Sequence, residues 1–509
     1  MIKIIHNTKH VVKVFLNETL IDVPSKKFSK VLFYIANKNP NEKIVWIDNR
    51  IVPNFNWNIL QTIDINDKEI VFASNNNDLY LTNDIGFIDQ NSLFRIPKEV
   101  SSFSWMISGD IGLVKASLIN RISIKDIELN DSPNYFLHSL GIQLIKNGLF
   151  CRREPKLLLN GDKQFKEKKL NNFQLYKFVK QNYKVHWIII LFYCQLIYKR
   201  KFNLAPLLFS LFIKKRKFYF NNVSTSKCFE IDYQKVTVDV LIPTLGRKKF
   251  LKDFLIDLSE QTLKPKKVII IEQNGILNSE SELDYLFNEP WPFEIVLKFT
   301  HQLGACNARN IGLEYISNDW VFMADDDIRI SNDFLEKSFL NILSHNFNAV
   351  NLNCLQKGQV STFNNIHQTE IFGSGASIVK TEILKNCKYD MNYEFCFGED
   401  FDFGMQIRNQ GLDVVYLPEP IILHLKAPVG GFRIKPVLPW SNDEIIPNPS
   451  PTILLNFLKY KTKEQLLSYK TLYFYNKLLK SKLKFYSTLK KVKLQWEASE
   501  IWAKKILVK

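Results

Sequence analysis

A run of apolar residues, Trp320 to Ala324, passes without a break into three carboxylates, Asp325, Asp326 and Asp327, and this stretch restricts the fold more than any other. The apolar run reads as a buried strand. Ending such a strand on adjacent carboxylates is costly, because like charges repel and apolar flanks raise the cost of desolvation. A hard divalent cation, Mg²⁺ or Mn²⁺, offsets that cost, and such an ion keeps positions for water and for substrate phosphates. The plainer reading is a solvated acidic turn that caps a helix beginning near Ser331.

The flanks decide between the two. Upstream, Val236 to Ile242 reads as a strand leading into Pro-Thr-Leu-Gly-Arg (Pro243 to Arg247) and an amphipathic helix, Phe250 to Gln261. A second strand, Lys267 to Ile271, ends in Glu272-Gln-Asn-Gly. Downstream come Gly-Glu-Asp-Phe-Asp-Phe-Gly (Gly398 to Gly404), Arg408, Gly411, Val414 to Pro418, and His424. From Thr237 to about His424 the chain resembles the family 2 glycosyltransferases of the GT-A fold, with four blocks in the family's order. They are the Pro-Thr-x-x-Arg strand end, the Ala-Arg-Asn-x-Gly helix (Ala308 to Gly312), the Asp-rich turn, and the Glu-Asp-x-Asp helix with its trailing Gly, Pro and His. Each block is weak alone; four in order are not.

The resemblance implies an α/β, Rossmann-like catalytic domain over residues 236–434, and it assigns roles. Asp327 becomes a metal ligand with His424 as the second protein ligand, while Asp325 and Asp326 face the nucleotide. In the Glu-Asp pair, Asp400 becomes the general base and Glu399 an acceptor contact; the two diverge by about 100° on a helix, so both cannot face the donor. Asp402 is expected to pair with Arg408 or Arg309 and brace the site. Pro243, Thr244 and Glu272 end strands at the carboxyl edge where α/β sheets bind ligands, which makes them nucleotide-sugar contacts together with Arg247 and Arg309. Gly304 would let backbone approach the nucleotide, and Gly375, in Phe-Gly-Ser-Gly, would leave room for the acceptor sugar. Lys426 and Arg433 flank a Gly-Gly pair that could close over the diphosphate as a lid.

The first 160 residues echo the second half. With Lys115 set on Lys380, Leu113-Val-Lys and Leu118-Ile fall on Ile378-Val-Lys and Ile383-Leu, and in a further match Gln143-Leu, Gly148-Leu and Pro155 fall on Gln406-Ile, Gly411-Leu and Pro418. Ile44 to Ile51 falls on Val321 to Ile328. Residues 1–160 therefore read as a shortened, degenerate GT-A-like domain. Its chemistry is gone: Asp48, Asn49 and Arg50 stand for the three aspartates, Phe136 and Leu137 for Glu399 and Asp400, Ser139 for Asp402, and Gly161 for His424. The Pro-Thr strand is expected to be missing from this copy.

A net charge of +17 needs a partner. Much of the excess lies in Lys163 to Lys217 and Lys459 to Lys509, interleaved with aromatic and aliphatic residues, which suits an anionic membrane surface better than nucleic acid, for which no recognition motif is present; the plainer reading is a compositional bias that leaves solvated helix faces. In the connector, two apolar runs, Val185 to Tyr198 and Asn203 to Ile213, are too short to span a bilayer. They read either as helices lying in the interface or as helices packed on the core. The basic helical segment 435–509 either covers the catalytic domain or sits on the membrane. Seven cysteines without a CxxC pair fit a reducing cytoplasm, and Met-Ile-Lys-Ile-Ile-His lacks the core of a signal peptide.

The expected protein is a metal-dependent, inverting glycosyltransferase. Its donor is a nucleotide-diphosphate sugar, a UDP-sugar first among them, and its acceptor a glycan or lipid-linked hydroxyl in surface polysaccharide synthesis, at the cytoplasmic face of the membrane. Two rivals are a pseudoenzyme that recruits a partner transferase and a sugar-phosphate nucleotidyltransferase. The second wants a Gly-rich phosphate loop, and Pro243 to Arg247 offers only Gly246.

Overall fold

The computed structural model describes residues 1–75, 79–90, 94–124, 132–159, 169–221, 232–428, 436–481 and 485–508. They group into two compact units, Met1–Thr225 with Tyr460–Thr488, and Ser226–Lys459 with Leu489–Lys509. The four consecutive segments expected from sequence are thus redistributed: the connector helices belong to the first unit, and the C-terminal segment is divided between the two. The reason is visible in the helix Lys463–Leu479, which buries Glu464, Gln465 and Ser468. Ser468 donates to the Phe87 carbonyl (2.7 Å), Gln465 to the Asp89 carbonyl (2.9 Å), and Lys199 donates to Glu464 (2.8 Å). No described helix is long and apolar enough to cross a membrane.

The strands of the first unit are β1 (Ile2–His6), β2 (Val11–Leu16), β3 (Thr19–Leu20), β4 (Lys43–Asp48), β5 (Glu69–Ala73), β6 (Ser102–Phe103), β7 (Ile111–Lys115), β8 (Ile122–Ile124), β9 (Phe150–Arg153) and β10 (Phe218–Phe220). Apart from a small β8–β10 pair they form one sheet, β3-β2-β1-β4-β7-β5-β9-β6. The second unit holds β11 (Val238–Thr244), β12 (Lys267–Gln273), β13 (Glu294–Thr300), β14 (Trp320–Ala324), β15 (Ile328–Arg329), β16 (Ala349–Gln356), β17 (His367–Gln368), β18 (Ala376–Lys380) and β19 (Val415–His424). Its sheet runs β13-β12-β11-β14-β18-β16-β19-β15, with β17 on β19.

The two sheets repeat one plan. β1 and β4 are parallel, β7 is antiparallel to both β4 and β5, and β5 is parallel to β9. β11, β14, β18, β16 and β19 follow with the same directions. Even the register agrees, since Lys43 pairs with Lys115 as Trp320 pairs with Lys380. One expectation fails: the first strand of the copy is present as β1, beside β4 where β11 stands beside β14. What the copy lacks is the helix and parallel strand that follow, because the chain turns back at once into the antiparallel β2.

The lost chemistry is built over rather than left open. Arg50 closes on Asp48 through two bonds of 2.9 Å, so the residual carboxylate is neutralised within its own turn. Phe136 and Leu137 are packed into the first unit's core.

In the second unit β14 is buried on both faces, which explains an apolar run without alternation. Phe322 meets Phe254 of the helix Lys248–Ser259 and Phe334 of the helix Phe334–Ser344. On the other face Met323 accepts the Tyr389 hydroxyl, and Tyr389 stacks on Phe403 of the helix Glu399–Asn409 at 4.3 Å. Each such buried side chain contributes roughly 1.5–3 kcal/mol, enough to fix the end of β14 and therefore the carboxylates that follow it.

Candidate active site

β11, β12 and β14 are parallel and end at one edge of the second sheet, and Thr244, Arg247, Asp325, Asp326, Asp327 and His424 meet there. Asp327 is the most committed of them. Its Oδ2 accepts the Ala427 amide (2.8 Å) and lies 3.4 Å from Arg247, and its Oδ1 lies 3.3 Å from His424 Nε2. Burial alone would raise its pKa, but the His424 bond, the Ala427 amide and the Arg247 charge outweigh it and hold the carboxyl at about 2. The same bond raises His424, against burial.

Asp325, Asp327 and His424 each offer one ligand atom, all within 4.8 Å of one another. Two carboxylate oxygens and one imidazole nitrogen are a donor set that suits Mn²⁺ or Mg²⁺. Asp325 is 37% exposed, which leaves that side open to phosphate oxygens. The sequence reading gave the metal only Asp327 and His424; the structure adds Asp325 to the group.

Asp326, expected at the nucleotide, is only 2% exposed. It accepts Thr244 Oγ1 (2.7 Å) and Arg247 Nη1 (2.6 Å), and burial raises its pKa to about 6 against the pull of Arg247 and Thr244. Asp326, Thr244 and Arg247 therefore form an inner brace behind the metal-ligating group, with Pro243 beside them on β11. Glu272, at the end of β12, accepts the Glu282 amide through Oε1 (3.0 Å), while its buried Oε2 has no hydrogen-bond partner among the described residues. An acceptor in that state suits an N–H or hydroxyl brought by a ligand.

One turn, Gly373 to Gly375, positions carboxylates on two sides. The Gly375 carbonyl accepts the Asp325 amide (3.1 Å), and Ser374 donates to Asp400 Oδ1 through its amide (3.1 Å) and its hydroxyl. A Cβ added at Gly375 would lie 2.2 Å from Asp325 Oδ2. The small residue thus makes room for Asp325, not for an acceptor sugar as the sequence suggested. Gly375→Ala is expected to push Asp325 out of the ligand group and weaken Mn²⁺ binding about tenfold. Mn²⁺ titration by calorimetry reads this directly, and an unchanged affinity would remove Asp325 from the group.

Asp400 and Glu399 open the helix Glu399–Asn409. Burial raises both carboxyls, Glu399 to about 7 with help from the Asp400 charge, while Arg309 opposes the shift on each. Arg309 lies against the Tyr389 ring and donates to Asp325 at 3.3 Å, so one cation serves Asp325, Asp400 and Glu399.

Two further expectations are corrected. Asp402 accepts Lys459 (2.9 Å) and Gln406 (2.8 Å) where Arg408 or Arg309 was expected, while Arg408 is drawn to the carbonyls of Thr369 and Glu370 and to Asp413. Gly304 has φ +135°, and a side chain there would strike Glu394, whose carboxylate caps the helix Ala305–Leu313 by accepting the Cys306 and Asn307 amides (3.1 and 2.7 Å). Its freedom serves that cap rather than a nucleotide. Glu394 and Lys459 were missed, since no local pattern marks partners 88 and 57 residues away, and Ser374 was read only as part of a small-residue turn. Lys426 is exposed with φ +54°, and Arg433 lies outside the described residues.

The model for Glycosyl transferase family 2 matches residues 239–407. Among solved structures the chain is similar to TarS 1-349 from S. aureus (15% identity, 37% of this chain and 60% of that one, TM-score 0.32). It is also similar to TarS 1-349 in complex with UDP-GlcNAc (16%, 53% and 82%, TM-score 0.37). A third is the mannosyltransferase PcManGT from Pyrobaculum calidifontis in complex with GDP-Man and Mn²⁺ (16%, 39% and 59%, TM-score 0.31). The chain spans 60% of the first of these, and no curated protein matches it. The segment that matches the Glycosyl transferase family 2 model begins on β11 and ends in the Glu399–Asn409 helix, so that β11, the Asp-rich turn and the Glu-Asp pair all fall inside the match.

Proposed function

We propose that this chain is an inverting, metal-dependent glycosyltransferase that moves a sugar from a nucleotide-diphosphate donor to a hydroxyl of a glycan or lipid-linked acceptor. The observation that carries the reading is the turn Gly373 to Gly375, which ties Asp325 of the metal-ligating group to Asp400. A divalent cation held by Asp325, Asp327 and His424 would offset the charge that develops on the leaving diphosphate. Asp400, oriented by Ser374, takes the acceptor proton as the acceptor oxygen bonds to the anomeric carbon and the bond from that carbon to the diphosphate breaks. A single base and a single displacement give inversion. Arg309 balances the carboxylates around this step, and Glu272 Oε2 suits a ribose hydroxyl or base N–H of the nucleotide. A lipid-linked acceptor, as in surface polysaccharide synthesis, would bring the chain to the cytoplasmic face of a membrane.

Calorimetry of the whole chain with UDP, GDP and dTDP, each with Mn²⁺ and with EDTA, tests the reading. One nucleotide is expected to bind with Mn²⁺ and to lose most of its affinity in EDTA. Binding of none of the three would sink it.

A further inference from the structure

In the first unit, the helices His186–Lys199 and Leu204–Leu211 each bury one face and leave the other bare. The first buries Ile188, Leu191 and Cys194 against the unit's core, and the second buries Pro206 and Ser210. Opposite, Ile189, Tyr193 and Ile197 form a stripe at helical spacing, Leu208 and Phe212 another, and Phe202 stands in the loop between them. Phe202 is 69% exposed and Phe212 87%, and together with the two stripes they make more exposed apolar surface than single scattered residues.

The charge around these stripes selects their partner. From Lys169 to Phe220 the chain contains no Asp or Glu. Lys184 precedes the first helix, Arg200 and Lys201 lie between the two, and Lys214, Lys215 and Lys217 follow the second, all exposed. Lys184, Lys215 and Lys217 also line a cavity of about 390 Å³ with Arg216, Gln143 and Asn182. Nucleic acid would satisfy the cations but leave the apolar stripes in water, and a second copy meeting this face would set like charges against each other. An anionic bilayer satisfies both, taking the apolar side chains below its headgroups and the lysines among its phosphates.

We propose that the helices His186–Lys199 and Leu204–Leu211 dock this chain on an anionic lipid surface, with the cavity between Lys184 and Lys217 receiving a headgroup phosphate. The docking face belongs to the first unit and does not depend on sugar transfer by the second.

Flotation of the full chain with vesicles is the test, using pure phosphatidylcholine and equal parts phosphatidylcholine and phosphatidylglycerol. The chain is expected to float with the mixed vesicles and not with the neutral ones. The triple variant Lys214→Gln, Lys215→Gln, Lys217→Gln should partition about a hundredfold more weakly. The exposed pair Phe202→Ser and Phe212→Ser should also lose flotation while keeping the wild-type circular dichroism. A chain that ignores the mixed vesicles overturns the proposal, as does one whose variants float like the wild type. A Phe202/Phe212 variant that changes the mass in light scattering instead would name a second copy as the occupant and overturn it equally.

Discussion

Asp400→Asn is expected to lower kcat for sugar transfer by about 10²–10⁴-fold, the contribution of a positioned general base, with nucleotide affinity unchanged. Asparagine keeps an oxygen for the two Ser374 donors, so the turn Gly373 to Gly375 and the helix Glu399–Asn409 should stay in place. Stability separates this from structural damage. Both carboxyls of the pair have folded pKa values above their free values, Glu399 at about 7. A raised carboxyl gives stability that is full below its free value and is lost as pH rises toward the folded value. Removing one charge from the pair should therefore leave the thermal midpoint at pH 8 no lower than in the wild type. The same shifts set the pH profile: the base must be ionised, so the rate should climb at a pH above the ordinary carboxylate range, with an apparent value that belongs to the pair rather than to one residue. Ser374→Ala should move that limb to higher pH, because the Ser374 hydroxyl favours the ionised form of Asp400. A lowered midpoint in Asp400→Asn, or a kcat within tenfold of wild type, would take the base role from Asp400.

What was legible in the sequence is what adjacent residues decide. The unbroken apolar run of β14, the Asp-rich turn after it and the register of the repeated sheet follow from strand periodicity and side-chain order, and they stand as read. The connector helices also fell where the apolar runs put them, and each proved to have both a packed and a bare face, so neither of the two readings was complete. Pairings between distant segments were not legible. Lys459 reaches Asp402 across 57 residues and Ser374 reaches Asp400 across 26; in both cases the choice among many carboxylates is made by packing. β1 was misjudged for a related reason. Ile2–His6 carries no Pro-Thr end like that of β11, and only its pairing with β4 shows that it takes the matching place in the sheet.

The inner brace gives a second large effect, because it distinguishes two adjacent aspartates that the sequence treats alike. Asp327→Ala is expected to weaken Mn²⁺-dependent nucleotide binding by at least about a hundredfold, since it removes one of three ligands and frees the segment after His424 that its Oδ2 holds through the Ala427 amide. Asp326→Asn should do much less. Its carboxyl is turned inward on Thr244 and Arg247, its pKa of about 6 leaves it part protonated near neutrality, and an asparagine can keep Arg247 on its oxygen while its amide nitrogen donates to the Thr244 hydroxyl. Calorimetry with the nucleotide that binds the wild type, with and without Mn²⁺, orders the two variants. If Asp326→Asn falls further than Asp327→Ala, then Asp326 leaves Arg247 when the donor arrives and the brace is only a resting arrangement. If the two fall equally, the turn acts as one unit and Asp327 has no special claim on the metal. The geometry of the edge favours the first order: only Asp327 shares its oxygens with His424 while standing within ligand reach of Asp325.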